Sequence, residues 1–185
     1  MSTATSEQRI YVACLGCYNG GTLHGFWFDV DDDADELAEA ITTKFGADEN
    51  GYLSCSDLSF GDIHEETAIH AFEGFGDYPV GEYESLATLC ALTELAEEHG
   101  DAVFAYASYE SESDPDVLRK QFEEHYQGEH NSEKDFAQEL HEQMGTDLGA
   151  LEYHIDWDSV ARDLFIGDFF SVDAGANGVY VFDRH

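Results

Sequence analysis

Acidic side chains outnumber basic ones so heavily that charge restricts the fold before any helix or strand is assigned. There are 41 Asp and Glu against 7 Lys and Arg, a formal net charge of −34. Self-repulsion on that scale works against any compact state and makes small modules in series easier to build than one ball. The 43% of hydrophobic residues, with 14% aromatic, suffices for real cores and argues against wholesale disorder. Direct binding of DNA or RNA is opposed, because it runs on Lys and Arg contacts to phosphate. Few acids have a basic residue four positions away. Asp116 with Lys120, Arg119 with Glu123, Lys120 with Glu124, and Asp158 with Arg162 are the candidate helical pairs.

The chain reads as α+β: an elongated series of three small domains, β-rich at the N-terminus, helical in the middle and mixed at the C-terminus. Expected boundaries are residues 1–85, an α+β domain with an antiparallel sheet; 86–124, helical; and 125–185, an α+β domain carrying a dimer interface. Strands are expected over 9–15 and 23–30, with GCYNGGT as a hairpin turn, and over 67–73. A helix over 33–45 should turn Leu37, Ala40, Ile41 and Phe45 inward, and Asp35, Glu36 and Glu39 outward. Further helices are expected over 86–99, with Leu86, Leu89, Thr93 and Ala96 along one side, and over 102–109. Another starts at Pro115 behind an Asp114 cap. A terminal hairpin should form around Asn177-Gly178. MSTATSEQRI lacks the features of a secretion signal, and no apolar run is long enough to span a bilayer. A cytoplasmic protein with reduced thiols is expected.

Residues 132–164 hold the most telling helix. Ser132 with Asp135 forms a capping box in which Asp replaces the usual Glu or Gln. Phe136, Leu140 and Met144 recur at i, i+4 and i+8, and Gly145 is a stop. Glu139 and Glu142 lie toward the C-terminus, where the macrodipole disfavours anions by roughly 0.3–1 kcal/mol each. A helix selected for stability alone would carry Lys or Arg there.

Signals for chemistry are weak. Cys14-Leu-Gly-Cys17 is a CxxC, but Cys55 and Cys90 are isolated in sequence, so a zinc site would have to draw on distant residues. The pair reads as small residues at a strand end. Asp29-Val-Asp31-Asp-Asp33 suggests a calcium loop, yet Ala34 and Ala40 stand where the EF-hand needs Gly and Glu. His64-Glu65 is not an HExxH, and no GxSxG or phosphate loop is present. No enzyme activity, cofactor or metal is expected.

Three uses of the acids compete: a solvated surface of halophilic type, a module for a basic partner such as a histone-like protein, or a mimic of DNA. Duplex DNA carries about one charge per ~1.7 Å of axis. The net charge therefore matches at most roughly 58 Å of duplex per chain and roughly 115 Å per symmetric dimer. Phosphate contacts dominate affinity and carry little sequence information, so a mimic could inhibit without regard to recognition sequence.

RIYVACLGCYNGGTLHGFWFDV, then AIHAFEGF and GEYESL, then YHIDWDSVARDLFIGDFFSV resemble the ArdA family of antirestriction proteins in order and over most of the chain. The resemblance implies a three-domain homodimer that mimics bent B-form DNA. It would occupy the DNA-binding groove of the methyltransferase core of type I restriction–modification enzymes, with no bond made or broken. The family's antirestriction motif, associated with the dimer interface, corresponds to residues 138–151. Here TDLGALEYHID departs from the proline-containing linker of many relatives. The expected mimic face comprises Asp31, Asp32, Asp35, Glu36 and Glu39, then Glu94, Glu97, Glu98 and Asp101, then Glu123, Glu124, Glu133, Glu139 and Glu142. Met144, Leu148 and Leu151 are the expected dimer contacts, with the Phe136 stripe also building the last core.

Overall fold

β1 (Arg9–Cys14) is the strand on which the N-terminal half is assembled. The fold is that of a computed structural model describing residues 8–31, 33–48, 52–55, 65–110, 114–145 and 147–184. β1 pairs antiparallel with β2 (Gly25–Asp29) and β3 (Thr67–Glu73), in the order β2-β1-β3. Ile10, Val12 and Cys14 are buried on one face, and Ala13 is buried on the other near the end of the strand. β1 and β2 form the expected hairpin, and its connection carries a short helix, α1 (Leu15–Asn19), ahead of the glycines. The Cys14 sulfur accepts the Cys17 N–H at 3.5 Å and caps this turn of helix before the glycines take over.

α2 (Ala34–Lys44) starts where expected, because Asp33 Oδ1 accepts the N–H groups of Asp35 and Glu36 at 2.9 and 3.0 Å. Leu37, Ile41 and Phe45 are buried, but Ala40 is exposed. The inner stripe is thus a single i, i+4, i+8 row, narrower than the face expected from sequence.

α3 (Leu86–His99) and α4 (Ala102–Tyr109) have the expected bounds. α3 is buried far more widely than one stripe: Thr88 to Thr93, Leu95 and Ala96 are all inside, while Leu86 is only half-buried. α4 is buried from Ala102 to Ala107, and Phe104 meets Phe75 edge-on at 5.7 Å. α3 keeps a narrow solvent side at Ala87, Glu94, Glu97 and Glu98, whereas α4 is covered all round over Ala102–Ala107. α5 (Pro115–His125) starts at its Asp114 cap, whose Oδ1 accepts the Val117 N–H at 3.2 Å.

Within α5 the chain divides into two compact units, residues 1–119 and 120–185. In the second, β4 (Tyr126–His130), β5 (Phe169–Asp173) and β6 (Val179–Asp183) form an antiparallel sheet in the order β4-β6-β5. The strand β4, YQGEH, has no apolar alternation and escaped the sequence reading; pairing with the buried Tyr180, Val181 and Phe182 strand holds it. The terminal hairpin is present, closed by a 3-10 turn over Gly175–Asn177 instead of a two-residue turn. Gly178 follows at φ 116°, and a Cβ there would lie 2.1 Å from the His130 carbonyl oxygen. Only glycine fits.

α6 (Glu133–Gln143) and α7 (Trp157–Gly167) pack together against this sheet. Ser132 caps the helix, its Oγ accepting the Asp135 N–H at 3.1 Å, while the Asp135 carboxylate takes the Ser132 hydroxyl at 3.0 Å where a full capping box would take the Ser132 N–H. Phe136 is the core residue, edge-on to Phe169 at 4.8 Å and Phe165 at 5.7 Å. The stripe stops there as core: Leu140 is half-buried and Met144 is 72% exposed. Two small sheets with helices segregated beside them make the chain α+β.

Candidate functional site

The candidate surface is built on helices that spend their apolar residues on one side and their acids on the other. On α2, Asp35 and Glu36 lie in the first turn, where the helix dipole favours anions, and Glu39 follows one turn later; all three are exposed. Asp31 is exposed just before this helix, and Asp32 lies outside the described residues. On α3, Glu94, Glu97 and Glu98 are the exposed acidic positions of a largely buried helix, and Asp101 is exposed in the turn after it.

The carboxylates are not equally unneutralised. Arg119 pairs with Glu94, not with the expected Glu123. Lys134 takes Asp158 at 3.0 Å, while Arg162 turns to Asp163 at 3.4 Å, so the expected Asp158–Arg162 pair does not form. Lys120 lies 3.8 Å from Glu124 as the helical spacing predicts. In the second unit Glu123 and Glu124 are exposed, whereas Glu133 turns inward to accept the Ser171 hydroxyl at 2.7 Å. Glu139 has a local partner, His130 Nδ1 at 3.0 Å, which accounts for an anion near the end of α6. Glu142 is exposed and lines a shallow groove with His141, Asp147, Glu152 and Trp157.

Between α6 and α7 the large apolar side chains are left uncovered or only half-covered. Leu151 is 67% exposed and Leu148 is half-buried. Tyr153 at 88% and Ile166 at 74% were not singled out from sequence, where the absence of helical or strand periodicity around Tyr153 hid them.

The cysteines depart most from expectation. Cys55 is isolated in sequence but not in space: the sulfurs of Cys14, Cys17 and Cys55 all lie within 4.8 Å of one another, and all three residues are buried. Cys55 Sγ is 3.6 Å from Cys14 Sγ, and His24 Nδ1 is 3.2 Å from Cys55 Sγ and 3.8 Å from Cys17 Sγ. None of the four cysteines forms a disulfide. Burial, followed by the neighbouring Cys17 and Cys14 thiols, pushes the Cys55 thiol far above its ordinary range.

Among the described residues no helix is long and apolar enough to cross a membrane. The sequence profile of the family described as "Antirestriction protein (ArdA)" matches residues 10–177. No curated protein matches the chain.

Proposed function

This chain belongs to the antirestriction (ArdA) family, and from that premise we propose that its carboxylates act as a DNA mimic. Antirestriction function and interaction with restriction enzymes come with the family. The finer reading is that the acids stand in for phosphates in the DNA-binding groove of a type I methyltransferase core and block it competitively. The observation that carries it is the outward set on α2 and α3: Asp35, Glu36, Glu39, Glu97 and Glu98 are exposed, while the opposite sides of the same helices make the core. A groove lined with Lys and Arg for phosphate would gain from each such charge and read no sequence.

The proposal includes a homodimer joined through Met144, Leu148 and Leu151, and the three-domain order 1–85, 86–124 and 125–185. Competition decides the mechanism. A type I methyltransferase core holding labelled DNA should release it as this protein is added, in proportion to occupancy. A stable complex containing the enzyme, the DNA and this protein together would overturn mimicry. A cooperative melt at low salt would remove the halophilic reading, which requires molar salt to fold.

A further inference from the structure

We propose that Cys14, Cys17, Cys55 and His24 form a structural zinc site. Zinc held by three thiolates and one imidazole has Zn–S near 2.3 Å and Zn–N near 2.0–2.1 Å, which sets neighbouring ligand atoms about 3.5–3.8 Å apart. The separations of 3.6 Å for Cys14–Cys55, 3.8 Å for Cys17–His24 and 3.2 Å for Cys55–His24 already bracket that range. His24 stands outside the 4.8 Å group formed by the three sulfurs, so its imidazole must turn toward Cys14 to take the fourth position.

The local backbone is that of a metal knuckle. Cys14 ends a strand, a single turn of helix returns Cys17 beside it, and the Cys17 N–H points at the Cys14 sulfur. An N–H aimed at a sulfur stabilises thiolate, the form that binds metal. Cys14 N–H donates to the His24 carbonyl at 2.9 Å, so the sheet itself fixes His24 against the cysteine pair. Cys55 arrives from residue segment 52–55, where Ser54 N–H donates to the Phe45 carbonyl at the end of α2. Three sulfurs gathered in a buried place gain little from one another by hydrogen bonding; a cation accounts for their convergence. Thiolate and imidazole together select zinc over hard cations such as magnesium or calcium. Binding releases three thiol protons and involves no redox step.

Such a site would clamp four pieces of chain: the end of β1, α1, the entry to β2 and the segment that caps α2. His24 also meets Phe45 edge-on at 5.4 Å, so the metal would be coupled to the anchoring of α2. Its role is structural, since four protein ligands leave no open position.

Elemental analysis of the full chain, purified under reducing conditions without chelator, should give one zinc per chain. Titrating the wild-type protein with an organomercurial should release that zinc into a chromophoric indicator as three thiols react. Cobalt substitution should produce thiolate-to-cobalt charge-transfer absorption and the intense d–d bands of a tetrahedral site. Cys90→Ala should retain the metal, whereas Cys14→Ala and Cys55→Ala should lose it and His24→Ala should weaken it at least tenfold. A chain that stays metal-free after zinc reconstitution would overturn the site. So would a Cys14–Cys55 disulfide in the reduced preparation, or a zinc that survives alanine at both Cys14 and Cys55. The mercurial and cobalt readouts use the wild-type fold, so a variant that fails to fold does not spare the proposal.

Discussion

The Arg119 guanidinium on α5 closes an ion pair on the Glu94 carboxylate of α3, joining elements 25 residues apart. One of the chain's 7 basic residues is therefore used to neutralise an acid on the candidate face. With the two side chains 33% and 50% exposed, solvent screening limits the pair to about 0.2–1 kcal/mol. Glu94→Gln should lower the unfolding free energy from denaturant titration by no more than that while leaving restriction inhibition nearly unchanged. Glu97→Gln with Glu98→Gln should do the reverse: little effect on stability, and weaker inhibition. Equal effects on inhibition would remove the distinction between paired and unpaired acids.

The acids of α2 should act by number, not identity. Asp35→Asn, Glu36→Gln or Glu39→Gln alone should change affinity for the enzyme by less than about fivefold, within roughly 1 kcal/mol. The triple change should multiply these losses and flatten the salt dependence of binding. Titration calorimetry at two ionic strengths measures both. One substitution that abolished binding in a folded protein would point to a specific contact instead of a distributed field.

Gly178→Ala tests the second unit. The added methyl meets the His130 carbonyl at 2.1 Å in a backbone conformation that L-residues avoid. The terminal hairpin must shift away from β4, at about 2–4 kcal/mol. Thermal unfolding should show a fall of several degrees or more.

Stability should respond to pH at both extremes. Burial, reinforced by Glu84, raises the Tyr78 phenol from 10.0 to about 12. A raised pKa favours the protonated form in the folded state, so its contribution is complete below pH 10 and is lost between there and about 12. Tyr78→Phe should flatten the alkaline limb of the stability curve. At the acid end, hydrogen bonds from Ser159 hold the Asp156 carboxyl below its usual value at the start of α7. That contribution is present at neutral pH and fades as the pH falls through the folded-state value. Asp156→Asn should reduce the acid sensitivity of α7, followed by amide exchange.

If the proposed dimer is joined at Leu148 and Leu151, Leu148→Asp with Leu151→Asp should convert it to monomers in sedimentation velocity and weaken inhibition. Both positions lie outside the unit's core, so the monomer should melt close to the parent protomer. A dimer that survived the double change would move the interface elsewhere, with exposed Tyr153 and Ile166 as the next positions to test.

Local signals carried much of the fold. Ser132 and Asp114 cap helices where their spacing predicts, Asp33 caps the helix expected to begin there, and Gly100 and Gly145 end helices at positive φ. β4 was not legible, since YQGEH owes its extended form to its partner strand. α7 was missed although Trp157, Val160, Ala161 and Leu164 fall at helical spacing and Asp156 accepts the Ser159 N–H at 3.2 Å. For the candidate surface, outward acids on amphipathic α2 could be read from periodicity. The partners of Glu94, Glu133 and Glu139 could not, because each comes from a different element. The thiol cluster is the extreme case: 41 residues separate Cys14 from Cys55, and only the fold closes that distance.

The thinness of the α2 anchor bears on how inhibitor and target can change over generations. Leu37, Ile41 and Phe45 hold that helix, so its outer positions are free to exchange Asp for Glu, to drift or to add charge. Under the proposed mimicry, the restriction enzyme has no matching freedom. Any cation it removed to repel these acids would be one it needs for its own substrate. The inhibitor can be rewritten letter by letter, while escape by the enzyme would cost it DNA.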